Sequence, residues 1–204
     1  MAGSCLSKGA PARSVAVTFD LPAPPAGLLS NDVPSLRENT AKLLASFREH
    51  GVPVVGFVNE GKLLVGGETP ADAEARTAVL KMWLDAGLEL GNHTYSHRSL
   101  NQTPLPEFEA DVVRGEPVTR RLLSERGQKL RYFRHPFLQV GLDLDKRRAF
   151  EAFLAGRGYT IAPVTIDNDE YSWLHHWELS AGRKRSPSPD PPEWVMKAYE
   201  ALRR

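Results

Sequence analysis

The fold of this 204-residue chain is decided by one stretch, Leu88-Glu89-Leu90-Gly91-Asn92-His93-Thr94-Tyr95-Ser96-His97. Residues 88–91 predict a short strand, and polar residues follow it at once. His93 and His97 are four residues apart, so a helical turn would put both imidazoles on one face, roughly 5–6 Å apart at Cβ. That spacing can chelate a divalent metal ion, but it also describes two surface or hydrogen-bonded histidines. The stretch therefore predicts a strand that ends in a candidate metal pair.

Strands and helices alternate on both sides of this stretch. The predicted strands are 14–19, 54–58, 88–91, 130–133 and 159–166, and the predicted helices are 35–50, 70–86, 105–126 and 143–156. The helices are long enough to cross over between parallel strands, which predicts an α/β fold with a parallel sheet or a (β/α) barrel. We expect a flexible N-terminus at 1–13, one domain at 14–171, and a tail at 172–204 with a Pro-rich arm and a terminal helix.

Polar side chains follow each predicted strand directly. They are Asp20, Asn59-Glu60, Asn92-His93, Arg134 and Asp167. The carboxyl ends of parallel strands meet at one rim, where active sites form in such folds. Each residue also has an ordinary interpretation: Asp20 could cap a turn, Arg134 could be a surface arginine, and Asp167 could start an Asx turn. Five such strand ends together favour a site at the rim.

Four short motifs together resemble a known family. They are Thr18-Phe19-Asp20, the segment 91–97, Arg134-His135-Pro136-Phe137 and Asp167-Asn168-Asp169. Their order and register are similar to those of the polysaccharide deacetylases, the NodB-homology domain of carbohydrate esterase family 4. The resemblance spans residues 14–171. It implies a distorted (β/α) barrel of seven strands, of which five βα units are recognisable here, so the barrel is expected to be incomplete.

The resemblance also implies a chemistry and a role for each residue. The family holds one divalent metal ion, usually zinc, with cobalt, manganese and nickel as alternatives, on an aspartate and two histidines that correspond to His93 and His97. The metal polarises an acetyl carbonyl and activates a water molecule, an aspartate takes the proton of that water, and a histidine protonates the departing amine. Arg134 is expected to position the base, and Asp167 to orient the acid histidine. The implied substrate is a carbohydrate with N- or O-linked acetyl groups.

The first motif departs from the family at the residue after Asp20. The family has two consecutive aspartates there, a base followed by a metal ligand, whereas this sequence has Asp20 and then Leu21. Aligned without a gap, Asp20 is the base and Leu21 replaces the ligand. With a one-residue deletion before Leu21, Asp20 is the ligand. Both alignments stay open from the sequence.

The second departure concerns the acid histidine. His175 and His176 imitate the family's last motif, but they follow Asp167 by only a few residues, without room for the helix that should intervene. We expect that a segment is missing between Tyr171 and Ser172. A partial barrel would expose a sheet edge and apolar helix faces, so oligomerisation is expected.

Composition limits the partners that we expect. The net charge of +1 gives no reason to expect nucleic acid, and no apolar run approaches the roughly 20 residues of a transmembrane helix. The only cysteine, Cys5, excludes an internal disulfide. No signal peptide is visible, so the sequence as written predicts a cytoplasmic protein, or a periplasmic or extracellular one if a signal has been removed.

Four functional hypotheses remain from the sequence. The first is a metal-dependent deacetylase acting on a carbohydrate, and a related one is a small-molecule amidase. The third is a catalytically impaired protein that binds metal or glycan, and the fourth is a non-functional remnant of a deleted gene. The doubtful second carboxylate and acid histidine keep all four open.

Overall fold

Five parallel strands form one sheet in the order β1-β2-β3-β4-β5. The structure, a computed structural model, describes residues 16–21, 32–63 and 69–167. The strands are β1 (Val17–Leu21), β2 (Val54–Val58), β3 (Glu89–Asn92), β4 (Tyr132–Phe133) and β5 (Thr160–Ile161). This sheet confirms the predicted α/β fold. Among the described residues β1 and β5 are the two edges, so closure into a barrel stays a prediction.

Five α-helices connect or follow these strands. They are α1 (Val33–His50), α2 (Pro70–Asp85), α3 (Leu105–Arg114), α4 (Pro117–Ser124) and α5 (Leu144–Gly156). Two single 3₁₀ turns, Glu60–Leu63 and Pro136–Leu138, follow β2 and β4. Within the described ranges, none of the helices combines the length and the apolar character that a membrane span requires.

Local sequence signals explain where the first two helices begin and end. The Asp32 side chain accepts a hydrogen bond from the backbone N–H of Ser35 and caps α1, and Gly51 ends that helix at φ 63°. At the start of α2, Thr69 and Asp72 bond each other's backbone N–H groups in a capping box. The helices predicted at 35–50 and 70–86 are therefore confirmed within two residues.

The single helix predicted at 105–126 is wrong. Two helices, α3 and α4, occupy this range, and Gly115 and Glu116 separate them. Pro117 is the first residue of α4, and a proline offers no backbone N–H to continue a helix that began before it. The hydrophobic pattern of both helices faces the same core, which is why it looked continuous.

The strand predicted at 159–166 is also too long. Only Thr160 and Ile161 pair with β4, opposite Tyr132 and Phe133. Because β4 itself has two residues, the pairing ends there, with one further bond from the N–H of Ala162 to the carbonyl oxygen of Phe133 at 2.9 Å, and Ile166 is 81% exposed. Two residue pairs join β4 to β5, whereas five residue pairs join β1 to β2.

The core lies where the sheet meets the helices. Its largest fully buried side chains are Trp83, Phe57, Phe108, Phe133 and Phe150. Around Phe150 aromatic rings pack edge to face, with Phe108 and Phe133 each contacting it at centroid distances of 5.0 and 5.4 Å. A packed core of this kind fixes the strand ends that carry the polar residues.

Gly115 allows the turn between α3 and α4 to lie directly against the segment after β3. A Cβ atom at this position would be 2.6 Å from the carbonyl carbon of Thr94 and 2.7 Å from the backbone nitrogen of Tyr95. Backbone atoms cannot rotate away, so we expect Gly115→Ala to lower the free energy of unfolding by about 1–3 kcal/mol. Urea denaturation measures this loss.

Gly156→Ala is the matched control for that substitution. A Cβ atom at Gly156, the last residue of α5, meets nothing within 4 Å. Alanine is favoured over glycine in a helix, so this variant should be as stable as the wild type or more stable by up to about 1 kcal/mol. Equal stability of the two variants would show that Gly115 is not needed for close approach.

Candidate active site

Three polar side chains meet at the carboxyl ends of β1 and β3. His93 Nε2 lies 3.3 Å from Asp20 Oδ2 and 3.1 Å from His97 Nε2. His93 is buried at 2% exposure, whereas the Asp20 side chain is half exposed. The structure therefore brings together the residues for which the sequence predicted a metal site, and it leaves one side of the group open to solvent.

The segment between the two histidines is not a helical turn. Thr94 and His97 have φ angles of 63° and 54°, in the left-handed region that residues with a side chain rarely adopt. Two hydrogen bonds hold this conformation: Thr94 N–H donates to Asn92 Oδ1 at 2.7 Å, and His97 N–H donates to Thr94 Oγ1 at 3.0 Å. The imidazoles still face each other, but strained backbone rather than helix geometry brings them together.

The His93 ring is oriented by a backbone carbonyl. Its Nδ1 lies 2.9 Å from the carbonyl oxygen of Arg134, which can only accept a hydrogen bond, so Nδ1 carries a proton. In the neutral ring the lone pair is then on Nε2, which points at Asp20 Oδ2. Two acceptors at 3.3 Å need a cation between them, either a proton or a metal ion. This arrangement, with a carbonyl behind the ring, is typical of metal-bound histidines.

The electrostatics of the site favour an ionised Asp20 carboxylate and a neutral His97 imidazole. Burial, with smaller contributions from the charges of His93 and Lys62, lowers the pKa of His97 to about 4. Burial raises the pKa of Asp20, but the hydrogen bond and charge of His93 and the charge of Arg134 outweigh it and lower that pKa overall. At neutral pH both groups are in the form that binds a metal ion.

The donor set fits a metal ion after a small movement. Among the described residues, no group of three or more His, Cys, Asp or Glu side chains is already arranged to hold a metal ion. Two ligands at about 2.1 Å from a tetrahedral ion are about 3.4 Å apart, close to the separations of 3.1 and 3.3 Å at His93. Two imidazole nitrogens and one carboxylate oxygen, the last on a half-exposed side chain, are donors that suit such an ion.

Arg134 lies on the buried side of Asp20, His93 and His97, away from the side that is open to solvent. It is 6% exposed, and it donates hydrogen bonds to Ala162 O at 2.8 Å and to Thr18 Oγ1 at 2.9 Å. Its guanidinium also stacks over the Phe57 ring, 4.6 Å from the centroid. The arginine thus fixes β1 two residues before Asp20 and lowers the pKa of Asp20 through its charge. Its role in positioning a base stays a prediction.

Of the other residues that the sequence predicted for the site, the structure describes only some. Asp167 is exposed at the end of the last described range, and its charge raises the pKa of Arg134, which burial lowers. His175 and His176, the candidate acids, lie outside the described residues, as do Cys5 and the tail at 172–204.

The two polar residues after β2 have different roles. Asn59 supports the site, because its Nδ2 donates to the carbonyl oxygen of Thr94 at 3.2 Å. Glu60 caps α4 instead: its carboxylate accepts from the backbone N–H groups of Val118 and Thr119 at 3.1 and 2.7 Å. The expectation that every strand end contributes a side chain to the site is therefore wrong for Glu60. The backbone N–H groups at the start of α4 have no partner within the helix, and they attract the Glu60 carboxylate instead.

Sequence reasoning missed Lys62, which adds a positive charge to the site. It belongs to the 3₁₀ turn after β2, and the neighbouring Gly61 N–H donates to the carbonyl oxygen of Tyr95 at 3.0 Å, which holds the turn beside the histidines. Burial lowers the pKa of Lys62, and the charge of Asp20 raises it. A lysine four residues after a strand gives no periodic signal, so only the fold reveals it.

Phe137 forms an exposed wall beside His97. Its ring lies 4.6 Å from the imidazole centroid, and 61% of the residue is exposed. Phe137 and Leu138 both have positive φ angles, 56° and 57°. Strained, exposed apolar residues next to polar groups are typical of ligand-contacting segments.

A buried histidine, His135, and a partly buried one, His97, make stability depend on pH. Burial lowers the pKa of both His97 and His135 to about 4, compared with 6.5 for an unperturbed histidine. Between pH 6.5 and 4 the unfolded chain binds more protons, so the free energy of unfolding falls as pH falls. For His135, which is 5% exposed, the loss should reach up to roughly 3 kcal/mol.

The variant His135→Asn isolates this contribution. Urea denaturation at pH 7 and pH 4.5 should show a smaller loss of stability for the variant than for the wild type, because asparagine does not titrate. Identical losses would show that His135 does not couple folding to protonation.

Comparisons with known proteins agree with this fold. The family model described as Polysaccharide deacetylase matches residues 7–150. A peptidoglycan-N-acetylglucosamine deacetylase of Bacillus cereus is 29% identical over 126 residues, which are 62% of this chain and 37% of that relative. The chain thus spans little more than a third of the curated relative that it matches.

Solved structures share the fold at low sequence identity. A carbohydrate esterase family 4 pseudoenzyme from Bacillus anthracis superposes with a TM-score of 0.56 at 16% identity, covering 95% of this chain and 60% of that one. A family 4 carbohydrate esterase from Streptomyces lividans, in complex with acetate, gives a TM-score of 0.53 at 16% identity, with coverage of 92% and 83%. A chitin deacetylase from Colletotrichum lindemuthianum gives 0.52 at 22%, with 77% and 58%. With its family model matched over most of its length, the chain belongs to the polysaccharide deacetylase family.

Proposed function

We propose that this chain is a metal-dependent deacetylase that removes N- or O-linked acetyl groups from a carbohydrate of the peptidoglycan or chitin type. The observation that carries the proposal is that Asp20 Oδ2 and His97 Nε2 both contact His93 Nε2, at 3.3 and 3.1 Å, at the open end of the sheet. The substrate class is supported by the names of its relatives, a peptidoglycan-N-acetylglucosamine deacetylase and a chitin deacetylase.

We further propose that His93, His97 and Asp20 hold one divalent ion, Zn²⁺, with Co²⁺, Mn²⁺ and Ni²⁺ as alternatives. The donor set of two imidazole nitrogens and one carboxylate oxygen suits these ions. Such an ion, when bound, polarises a carbonyl group and lowers the pKa of water. The Arg134 carbonyl supports it by keeping the Nε2 lone pair of His93 directed at the site.

The other side chains of the site have complementary tasks. Asp20 is ionised and half exposed, so a carboxylate oxygen that does not bind metal can accept a proton from water at the rim. Lys62 provides positive charge near Asp20 and His97, where negative charge develops on an acetyl oxygen during hydrolysis. Phe137 offers an apolar surface to the substrate beside His97.

A second candidate is a binding protein without turnover. Leu21 is 6% exposed and packs against Gly56, so the position after Asp20 holds a core side chain and no second carboxylate. The pseudoenzyme among the structural neighbours has this fold, and a mutant of it has restored enzymatic activity. The same site residues would then bind metal or glycan without hydrolysis. A small-molecule amidase is a third use of the same groups.

An acetate-release assay separates these candidates. The protein is loaded with Zn²⁺ and incubated with N-acetylated chitin oligosaccharides, with peptidoglycan, and with a small acetamide, and a chelator-treated sample is the control. Release from a glycan that the chelator stops supports the deacetylase, whereas release from the acetamide alone supports the amidase. Bound Zn²⁺ without any release supports the binding protein. A protein that takes up no metal refutes the metal proposal.

A further inference from the structure

A chain of buried hydrogen bonds runs from the start of α4 to the turn that carries the histidines. Tyr159 Oη donates to Glu116 Oε1 at 2.9 Å, and Asn92 Nδ2 donates to Tyr159 Oη at 2.9 Å. Asn92 Oδ1 then accepts from Thr94 N–H at 2.7 Å. Asn92 is 0%, Glu116 4% and Tyr159 6% exposed, so water does not compete for these bonds. Residues far apart in the sequence are thus joined atom to atom.

The buried charge of Glu116 sets the direction of every bond in this chain. Burial raises the pKa of Glu116, but hydrogen bonds from Arg120, Arg157 and Tyr159 outweigh it and lower the pKa overall. An ionised carboxylate only accepts, so the Tyr159 hydroxyl must donate to it and can only accept from Asn92 Nδ2.

The side-chain amide of Asn92 can adopt only one of its two orientations. A second bond from its Nδ2 to the carbonyl oxygen of Val112, at 3.1 Å, fixes the same orientation as the bond to Tyr159. Asn92 Oδ1 must therefore face the backbone N–H of Thr94. Each bond fixes the orientation of the next group, so the charge of Glu116 determines that the Asn92 oxygen faces Thr94, the first strained residue of the turn.

Thr94 is the residue that most needs such support. It is β-branched and has a φ of 63°, a combination that is a genuine outlier unless its surroundings impose it. Its Oγ1 accepts from His97 N–H at 3.0 Å, and His97 also has a positive φ. The bond from Asn92 therefore stabilises the conformation on which the position of the second imidazole depends.

We propose that Glu116 and Tyr159 are positioning residues that, through Asn92, hold the turn from His93 to His97 in its left-handed conformation and so preset the distance between the two imidazoles. Neither side chain contacts an imidazole. The part of this inference that concerns metal affinity rests on the proposed function, whereas the part that concerns the turn does not.

Tyr159→Phe tests the inference, because it removes only the hydroxyl and keeps the ring that packs on Phe133. Tyr132→Phe is the matched control: the same atom is lost from a half-buried residue of the neighbouring strand β4, which is not part of the chain of bonds. Two quantities are measured: amide hydrogen exchange of Thr94 and His97 in the metal-free protein, and the affinity for Zn²⁺ by competition with a chromophoric chelator.

We expect Tyr159→Phe to speed exchange at the Thr94 and His97 amides by about tenfold or more, and to weaken Zn²⁺ binding by roughly 10–100-fold. The β1 and β2 amides should exchange as in the wild type. Tyr132→Phe should stay within about twofold of the wild type in both quantities. Glu116→Gln, whose amide oxygen can still accept from Tyr159, should have a smaller effect on exchange than Tyr159→Phe.

Two results would overturn the inference. Unchanged exchange at Thr94 and His97 in Tyr159→Phe would show that the turn does not need the chain of bonds. Faster exchange at all amides, β1 and β2 included, would show general destabilisation instead of positioning. A wild-type protein that binds no Zn²⁺, together with faster exchange at Thr94 and His97 in the variant, would refute the metal proposal and support the positioning role.

Discussion

His97→Ala is expected to abolish metal binding. Only His93 and the half-exposed Asp20 would remain as ligands, and two ligands do not retain an ion that normally has three from the protein. The affinity for Zn²⁺ should fall by roughly 100-fold or more, beyond the loss that removal of an outer-shell partner causes. Metal content after dialysis measures it, and far-UV circular dichroism verifies that the variant is folded.

His50→Ala is the control for this experiment. His50 is an exposed histidine in the last turn of α1, so its loss removes an imidazole without changing the site. Its metal content should equal that of the wild type. A His97→Ala protein that retains its full metal content would sink the assignment of the site.

Asp20→Asn should reduce acetate release from a chitin oligosaccharide by roughly 10²–10⁴-fold, the usual loss when a general base is removed. Asparagine has the same shape as aspartate but has no charge and does not accept a proton from water. The measurement is the initial rate at saturating Zn²⁺. Asp145→Asn, an exposed change in the first turn of α5, should retain the wild-type rate.

The same variant separates the two roles that the sequence leaves open for Asp20. If Asp20 acts as the base alone, the Zn²⁺ affinity of Asp20→Asn should stay near that of the wild type while the rate falls. If Asp20 is a metal ligand, affinity and rate should fall together. A variant that keeps both its rate and its affinity would exclude both roles.

The meeting of Asp20 and His93 could be predicted from the sequence because it depends on local patterns and one topological rule. Short apolar runs followed by polar residues locate the strand ends, and parallel pairing brings these ends to one edge. The structure confirms the parallel sheet and places the two side chains 3.3 Å apart. The histidine spacing gave the right partner for His93, although the turn that joins the two residues is left-handed rather than helical.

The parts that sequence reasoning missed depend on contacts between distant residues. Glu116 and Tyr159 are 43 positions apart, and neither belongs to a motif, so nothing local predicts that they meet. The break between α3 and α4 follows from Pro117 together with the contact of Gly115 on the segment after β3. The apolar pattern in the sequence does not indicate this break, because both helices bury their apolar residues in the same core.

The short ladder between β4 and β5 has a consequence for how the protein responds to heat. Two residue pairs hold β5, whereas five hold β1 to β2, so the sheet should begin to open at its β5 edge. Tyr159 immediately precedes β5 and would leave Asn92 when that edge opens. We therefore expect warming to loosen the turn from His93 to His97 while the β1–β2 half of the sheet is still folded. The site would then lose its geometry at a temperature below the melting temperature of the domain.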